Sequence, residues 1–192
     1  AMYLSIPETT VLDPADYAQL ASITRQLPGI TKGVTYTRFV RKGIIKVYED
    51  GSEFPIGKGV VLHESDKDVA TIITSGIMVD ESLKAYEALQ AEGISVRVID
   101  MFTWKPLDEE LVIKAAKETG AIVTAEEHNI YGGLGSAVAE VLAWGGAAAP
   151  TEFVGIPDTF TETGKYTELL AKYGVDAAGV VRGIERVLAR KH

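Results

Sequence analysis

Thr124-Ala125-Glu126-Glu127-His128-Asn129-Ile130-Tyr131-Gly132-Gly133-Leu134-Gly135-Ser136-Ala137-Val138-Ala139-Glu140 joins a strand to a helix through a glycine-rich turn. The apolar run Ala121 to Ala125 enters it, and three ionisable residues, Glu126, Glu127 and His128, stand at the end of that run. Beyond the turn, Leu134, Ala137, Val138, Val141 and Leu142 recur at helical spacing. Ionisable residues at the carboxyl end of a strand, followed by a helix, lie where open α/β sheets hold their ligands. Whether this stretch is a site or a packing joint decides the reading of the chain.

The pattern repeats on both sides. Val69 to Thr74 is a continuous β-prone run, as in a strand buried on both faces, and Ser75-Gly76 breaks it. Val79, Leu83, Tyr86 and Leu89 mark a helix closing at Gly93, and Ser95 to Met101 is the next strand. Pro106-Leu107-Asp108-Glu109-Glu110 opens a helix with Leu111, Val112, Ala115, Ala116 and Thr119 on its inner face, and Gly120 ends it. Glu152 to Ile156 is a fourth strand. Helices follow around Tyr166 to Tyr173 and from an Asp176 N-cap to about Arg190. Strand–helix alternation at this spacing predicts an α/β three-layer sandwich around a mostly parallel sheet of four or five strands.

The opening differs. Thr9 to Leu12 is β-prone, and Asp13-Pro14-Ala15-Asp16 predicts a helix start with Asp13 as N-cap. Val34 to Lys42 reads as a strand ending in Arg38, Arg41 and Lys42. One helix and two strands are too few to bury a core, so residues 1–42 are expected to be a piece of something larger. Residues 43–60 suit an ordered connection or a short hairpin around Asp50-Gly51, and residues 61–192 form the main domain.

A net charge of −8 argues against a nucleic-acid or anionic-membrane partner. The absence of cysteine removes disulfide, thiolate and zinc-thiolate chemistry. No stretch approaches the ~18 apolar residues that a membrane span needs, and the start lacks the pattern of a signal peptide, so a cytoplasmic location is expected. Ala1 ahead of Met2 is expected to be a cloning remnant.

Among the candidate groups, Glu126-Glu127-His128 could supply acid/base chemistry or brace the turn. Successive residues of an extended segment point opposite ways, so the two glutamates cannot both face one substrate if the strand runs that far. Gly132, Gly133 and Gly135 could cradle a phosphate or allow close packing of helix on sheet, but they lack the spacing of a dinucleotide or P-loop motif. His63 and His192 are isolated, which gives a histidine metal cluster no support. The runs Asp66-Lys67-Asp68 and Asp108-Glu109-Glu110 are expected to be solvated. Arg38 and Arg41 have the planar fork that suits phosphate or carboxylate, with surface ion pairs as the alternative.

The motif Thr124-Ala-Glu-Glu-His128-x4-Gly133-Leu-Gly135-Ser-Ala-Val-Ala-Glu140 resembles the C-terminal domain of transketolases and their thiamine-diphosphate relatives. Ile77-Met-Val-x-Glu-Ser-Leu-Lys-Ala85, Val98-Ile-Asp-Met-x-Thr103-x-Lys105-Pro-Leu-Asp108 and Asp158-Thr-Phe160-x-Glu162-x-Gly164 match it in the same order. The resemblance covers about residues 56–190. Val11 to Asp16 and Tyr36-Thr-Arg38-Phe-Val-Arg41 look like the end of the preceding pyrimidine-binding domain, and the small subunit of a split transketolase is closest in style.

The resemblance implies a parent enzyme that moves a two-carbon ketol unit between sugar phosphates with thiamine diphosphate and Mg²⁺, neither bound by this chain alone. It places Arg41 on the sugar phosphate, with Arg38 beside it. It gives Glu127, His128, Gly132, Gly133 and Gly135 a structural role, and no residue here a catalytic one. The implied partners are the remaining domains or subunit and a second copy through the C-terminal domain. Val40 and Lys42 stand where relatives commonly have a small hydroxyl residue and a glutamine. Related enzymes with the same tail stay open: deoxyxylulose-phosphate synthase, a transketolase for an unusual sugar, or a 2-oxo-acid dehydrogenase β subunit. So does a free-standing module that holds a small anion near Ser75, Thr103 and Glu126.

Overall fold

A computed structural model of the chain describes residues 1–40 and 45–191. Its elements are α1 (Met2–Ser5), β1 (Thr9–Leu12), α2 (Tyr17–Gln26), β2 (Val34–Thr37), β3 (Val60–His63), β4 (Ala70–Thr74), α3 (Met78–Ala91), β5 (Val96–Asp100), β6 (Thr103–Lys105), α4 (Glu109–Thr119), β7 (Ile122–Asn129), α5 (Leu134–Trp144), β8 (Thr151–Ile156), α6 (Tyr166–Tyr173) and α7 (Ala177–Leu188).

The continuous apolar runs become the middle of a five-stranded sheet of order β3-β5-β4-β7-β8. β4 is parallel to β5 and β7, β7 is parallel to β8, and β3 alone runs antiparallel, against β5. Every residue of β4 and β5 is buried, as a sheet covered on both faces demands. Alternation divides the side chains between two cores. Ile72, Val98 and Val123 pack under α3 and α7 with Met78, Leu89, Val180, Ile184 and Val187. Ile73, Ile99 and Ile122 pack under α4 and α5 with Val112, Ala116, Leu134, Val138 and Val141. The result is the expected three-layer α/β sandwich. Sequence order runs outward from β4 to β5 on one side and from β7 to β8 on the other. The order therefore reverses between β4 and β7, which places Ser75 and Glu126 at the switch point.

A second sheet of order β2-β1-β6 joins the opening segment to the main domain. β1 pairs in parallel with β2 and antiparallel with β6, Val11 lying opposite Lys105. Leu12 and Ile23 form a third core with Phe54 and Phe102. Residues 45–59 contain no strand. They hold a turn in which Ser52 N–H donates to the Glu49 carbonyl, and they run against α2, where Phe54 N–H donates to Ser22 Oγ.

Several expectations are corrected. Asp16, not Asp13, is the N-cap of α2, its carboxylate accepting from Gln19 N–H at 2.9 Å. The strand expected over 34–42 ends at Thr37, with Arg38 just beyond it. Arg41 and Lys42 lie outside the described residues. β7 runs past Ala125 to Asn129, so Glu126, Glu127 and His128 belong to the strand. Asp68 is not solvated: its side chain is 2% exposed, accepts from Ser65 N–H and Ser95 Oγ–H, and faces Arg97 at 3.8 Å. Asp108 is likewise buried and caps α4 through Leu111 N–H while accepting from Gly59 N–H. In both runs a local backbone donor needs the carboxylate more than water does.

Asp100 ends β5 and is fully buried. Its Oδ2 accepts from Tyr48 O–H at 2.6 Å and Gln19 Nε2–H at 2.8 Å, which ties α2 and the 45–59 segment to the main sheet. Burial pushes its carboxyl up to about 7, against the pull of those two donors. A folded pKa above the unfolded one means that the fold favours the protonated form. Stability from this group is then fully present below about pH 4 and is lost as pH rises to about 7. Asp100→Asn keeps the shape and removes the titration. Urea unfolding across that window is expected to show a shallower pH slope in the variant, the difference being on the order of a few kcal/mol. Parallel curves for variant and parent would refute this.

Candidate functional site

β7 is extended through Glu126 and Glu127, so their side chains leave on opposite sides and meet different partners. Glu126 turns to the start of α5, where Oε2 accepts from Leu134 N–H at 2.7 Å and Oε1 from Gly135 N–H at 2.8 Å. A carboxylate on two unpaired N–H groups at the positive end of a helix satisfies both donors and is favoured by the dipole. Burial nevertheless raises its carboxyl to about 7, opposed by those two N–H groups. The glycines follow from the closeness of this joint. A Cβ on Gly133 would sit 1.9 Å from Glu126 Oε2, and one on Gly135 would sit 2.5 Å from the Phe153 ring. Gly132 adopts a positive φ of 72°, which L side chains rarely take. These are packing glycines, and the Leu134 and Gly135 N–H groups that a phosphate would need are taken up by Glu126.

His128 lies beside this joint, its Nδ1 2.7 Å from the Asn129 carbonyl oxygen and 3.9 Å from Glu126 Oε2. Its ring meets Trp104 edge-on at 5.9 Å. Burial lowers its pKa, so the imidazole is biased toward the neutral form.

On the other side of β7, Glu127 meets Arg38. Nη2 of Arg38 donates to the Glu127 carbonyl at 2.8 Å and to its Oε2 at 3.2 Å. Nε of Arg38 is 3.6 Å from Asp13 Oδ1, and the guanidinium lies 5.7 Å from the centre of the Trp104 ring. Asp13 is buried and accepts from Ser75 Oγ–H at 2.8 Å. Ser75 in turn accepts from the Trp104 indole N–H at 2.9 Å. Burial raises the Asp13 and Glu127 carboxyls, and Arg38 pulls both back down. Gly76, at φ 56°, lets the chain pass so close that a Cβ would meet Asp13 Oδ1 at 2.7 Å.

The structure thus brings Arg38 and Glu127 together and sets Glu126, His128, Gly132, Gly133 and Gly135 into the strand–helix joint. Arg41 lies outside the described residues. In the sequence Asp13 reads as a helix cap and Trp104 does not stand out, so the place of both beside Arg38 was missed. A tryptophan after the strand-prone Phe102 and Thr103, whose N–H needs an acceptor once buried, was the available signal. Between Asp13, Arg38, Phe39, Val40 and Gly76 the free space is about 10 Å³, about what one water needs. A wider groove of about 480 Å³ runs past Trp104, Pro106, Leu107, Glu140 and Trp144. Among the described residues no group of three or more His, Asp or Glu could hold a metal ion, and no helix is long and apolar enough to cross a membrane.

The family model described as the C-terminal domain of transketolase matches residues 57–180. The chain is 40% identical over 188 residues to the 6-deoxy-6-sulfo-D-fructose transketolase subunit SqwH of Clostridium sp. (strain MSTE9), covering 98% of this chain and 57% of that protein. It is 40% identical over 186 residues to a putative transketolase C-terminal section of Methanocaldococcus jannaschii, covering 96% and 57%. A solved split-gene transketolase, described as an inactive β4 tetramer, superposes with a TM-score of 0.94 at 42% identity over all of this chain and 61% of its own. The chain therefore spans somewhat more than half the length of the relatives it matches. With the match across most of its length, and with its fold, the chain belongs to the transketolase C-terminal domain family.

Proposed function

We propose that this chain serves as the C-terminal portion of a thiamine-diphosphate-dependent transketolase, in a structural and assembly role, with the rest of the enzyme completing the active site. The observation that carries this reading is the occupancy of the motif itself. Glu126 is bound to two helix N–H groups and Glu127 to Arg38, so neither carboxylate is free for proton transfer at a substrate. The described residues do not fit the cofactor either. The glycine-turn donors at Leu134 and Gly135 are already engaged, and no carboxylate group is assembled for Mg²⁺. Thiamine diphosphate would be seated by the remaining domains or subunit, where it supplies the carbanion chemistry of ketol transfer.

In the same proposal, residues 1–42 close a pyrimidine-binding domain, residues 43–60 link it, and residues 61–192 form the C-terminal domain, through which two copies associate in the cytoplasm. Arg41 reaches the anionic end of the sugar, with Arg38 three residues before it at the end of β2. What supports the reading is Arg38, which follows β2 and lies beside Asp13, just past β1, and Glu127 of β7. A second reading concerns the anion. Val40 and Lys42 depart from the usual neighbours of this arginine, and one relative carries a sulfonated sugar in its name. A sulfonate and a phosphate present similar tetrahedral oxygens to a guanidinium.

The test mixes this chain with the rest of the enzyme from the same source, the N-terminal transketolase section together with the remainder of the pyrimidine-binding domain, adds thiamine diphosphate and Mg²⁺, and measures ketol transfer to a phosphorylated aldose. Activity is expected from the mixture and from neither part alone. Activity of this chain by itself, or an inert mixture, would overturn the reading. Within an active mixture, Arg41→Gln is expected to raise KM for the phosphorylated acceptor by about 10–100-fold, the scale of a lost charge-assisted hydrogen bond. Assaying 6-sulfo and 6-phospho sugars side by side decides between the two anions by which has the larger kcat/KM.

A further inference from the structure

We infer that residues 157–165 form a strap with two seats: Phe160, turned to solvent in this structure, exchanges sides with Thr161 and places its ring in a cavity beneath α6. This stands apart from the transketolase reading and does not rest on it. The cavity has a volume of about 160 Å³ and lies between the end of β8 and α6. Ile156, Leu169, Leu170 and Val175 give it apolar walls, Glu127 borders it, and Thr161 enters it from the strap.

The helix above the cavity is loosely seated. α6 has eight residues and none of them is fully buried, whereas α7 buries Val180, Ile184 and Val187 against the same core. Space is therefore left unfilled under the apolar side of α6. An apolar void deprives its lining of contact atoms on one side, so filling it is favourable. An apolar cavity of about 150 Å³ accepts a benzene ring, and the phenylalanine side chain is such a ring on a methylene.

The strap carries this ring on its outer side. Residues 157–165 form neither helix nor strand and are tied on both sides of Phe160. Before it, Asn129 Nδ2–H donates to Asp158 Oδ1 at 3.1 Å. After it, Glu162 N–H donates to the Tyr173 hydroxyl at 3.2 Å, and the Glu162 carboxylate pairs with Lys172. Between these ties Phe160 is the most exposed large apolar side chain among the described residues, at 102%. Its neighbour Thr161 fills the inward position with a short, polar side chain. Rotation of the backbone between the ties turns Phe160 inward and Thr161 outward while both ties are kept. Removing the ring from water and filling the void favour the inward seat, and ordering the tip opposes it. Closure also sets the ring against Glu127, so the strap and the Arg38 contact between the two sheets share one residue.

The test uses the whole chain with benzene as the probe, and binding is read from the methyl NMR shifts of Leu169, Leu170 and Val175. A ring already seated competes with the probe, so the parent's affinity is reduced by the fraction of chains whose cavity is open. Phe160→Ala removes the competitor and is expected to bind benzene at least about threefold more tightly than the parent. Unchanged shifts of Ile184 and Val187 report that the variant keeps its fold. Equal affinities, or weaker binding by the variant, overturn the inference. So does a lack of binding by both chains, since the cavity then admits no ring. A second measurement needs no variant. In the parent, the ring protons of Phe160 are expected to show nuclear Overhauser contacts with the methyls of Leu170 and Val175, contacts that a ring wholly in solvent does not make. Their absence overturns the strap.

Discussion

Two backbone N–H groups at the start of α5 have no partner within their own helix, and the whole carboxyl edge of the sheet is arranged around supplying them with one. Glu126 does so from the neighbouring strand at 2.7 and 2.8 Å. For the carboxylate to reach both donors, α5 must sit so close to β7 that Gly133 and Gly135 have no space for a side chain. The closeness then fixes how Leu134 and Val138 enter the core beneath the sheet. The oxygens of a phosphate would have to compete with Glu126 for donors that are already satisfied.

The opposite face of the same strand carries the second constraint. Because β7 stays extended, Glu127 points away from the helix joint and meets Arg38 from the other sheet. One strand thus fastens a helix with one residue and a neighbouring sheet with the next. Buried carboxylates at Asp13, Asp100 and Glu126 are all raised by desolvation; Asp13 lies just past β1, Asp100 ends β5, and Glu126 stands in the second half of β7. The carboxyl end of the sheets is consequently the polar and pH-responsive side of the molecule, and the core on both faces of the main sheet is apolar.

The main domain was legible because its strands are buried on both faces and its helices carry whole apolar stripes. Val69 to Thr74 and Ser95 to Met101 give unbroken runs that match β4 and β5, and Gly120 and Asp176 mark helix ends by their own chemistry. What escaped was held by tertiary pairing. β3 and β6 are four and three residues long, too short to show a period. Asp68 and Asp108 lie in charged runs whose composition suggests water, and only the fold brings Ser65, Ser95, Gly59 and Leu111 to them. The choice of Asp13 over Asp16 as a cap turned on Pro14. Both aspartates suit a cap, and the outcome was settled by Ser75 and Gly76, some sixty residues further on.

β1 has one neighbour close in sequence and one far away: β2 follows within the opening segment, whereas β6 comes after most of the main sheet. A strand that pairs across so long a stretch cannot be completed early. During synthesis, residues 9–12 would stand with one edge open until Thr103–Lys105 had emerged and β4 and β5 were available to carry it. The opening segment is then a late-closing part of the fold despite being made before the main sheet, and its β1 edge is open meanwhile to pairing with the wrong strand.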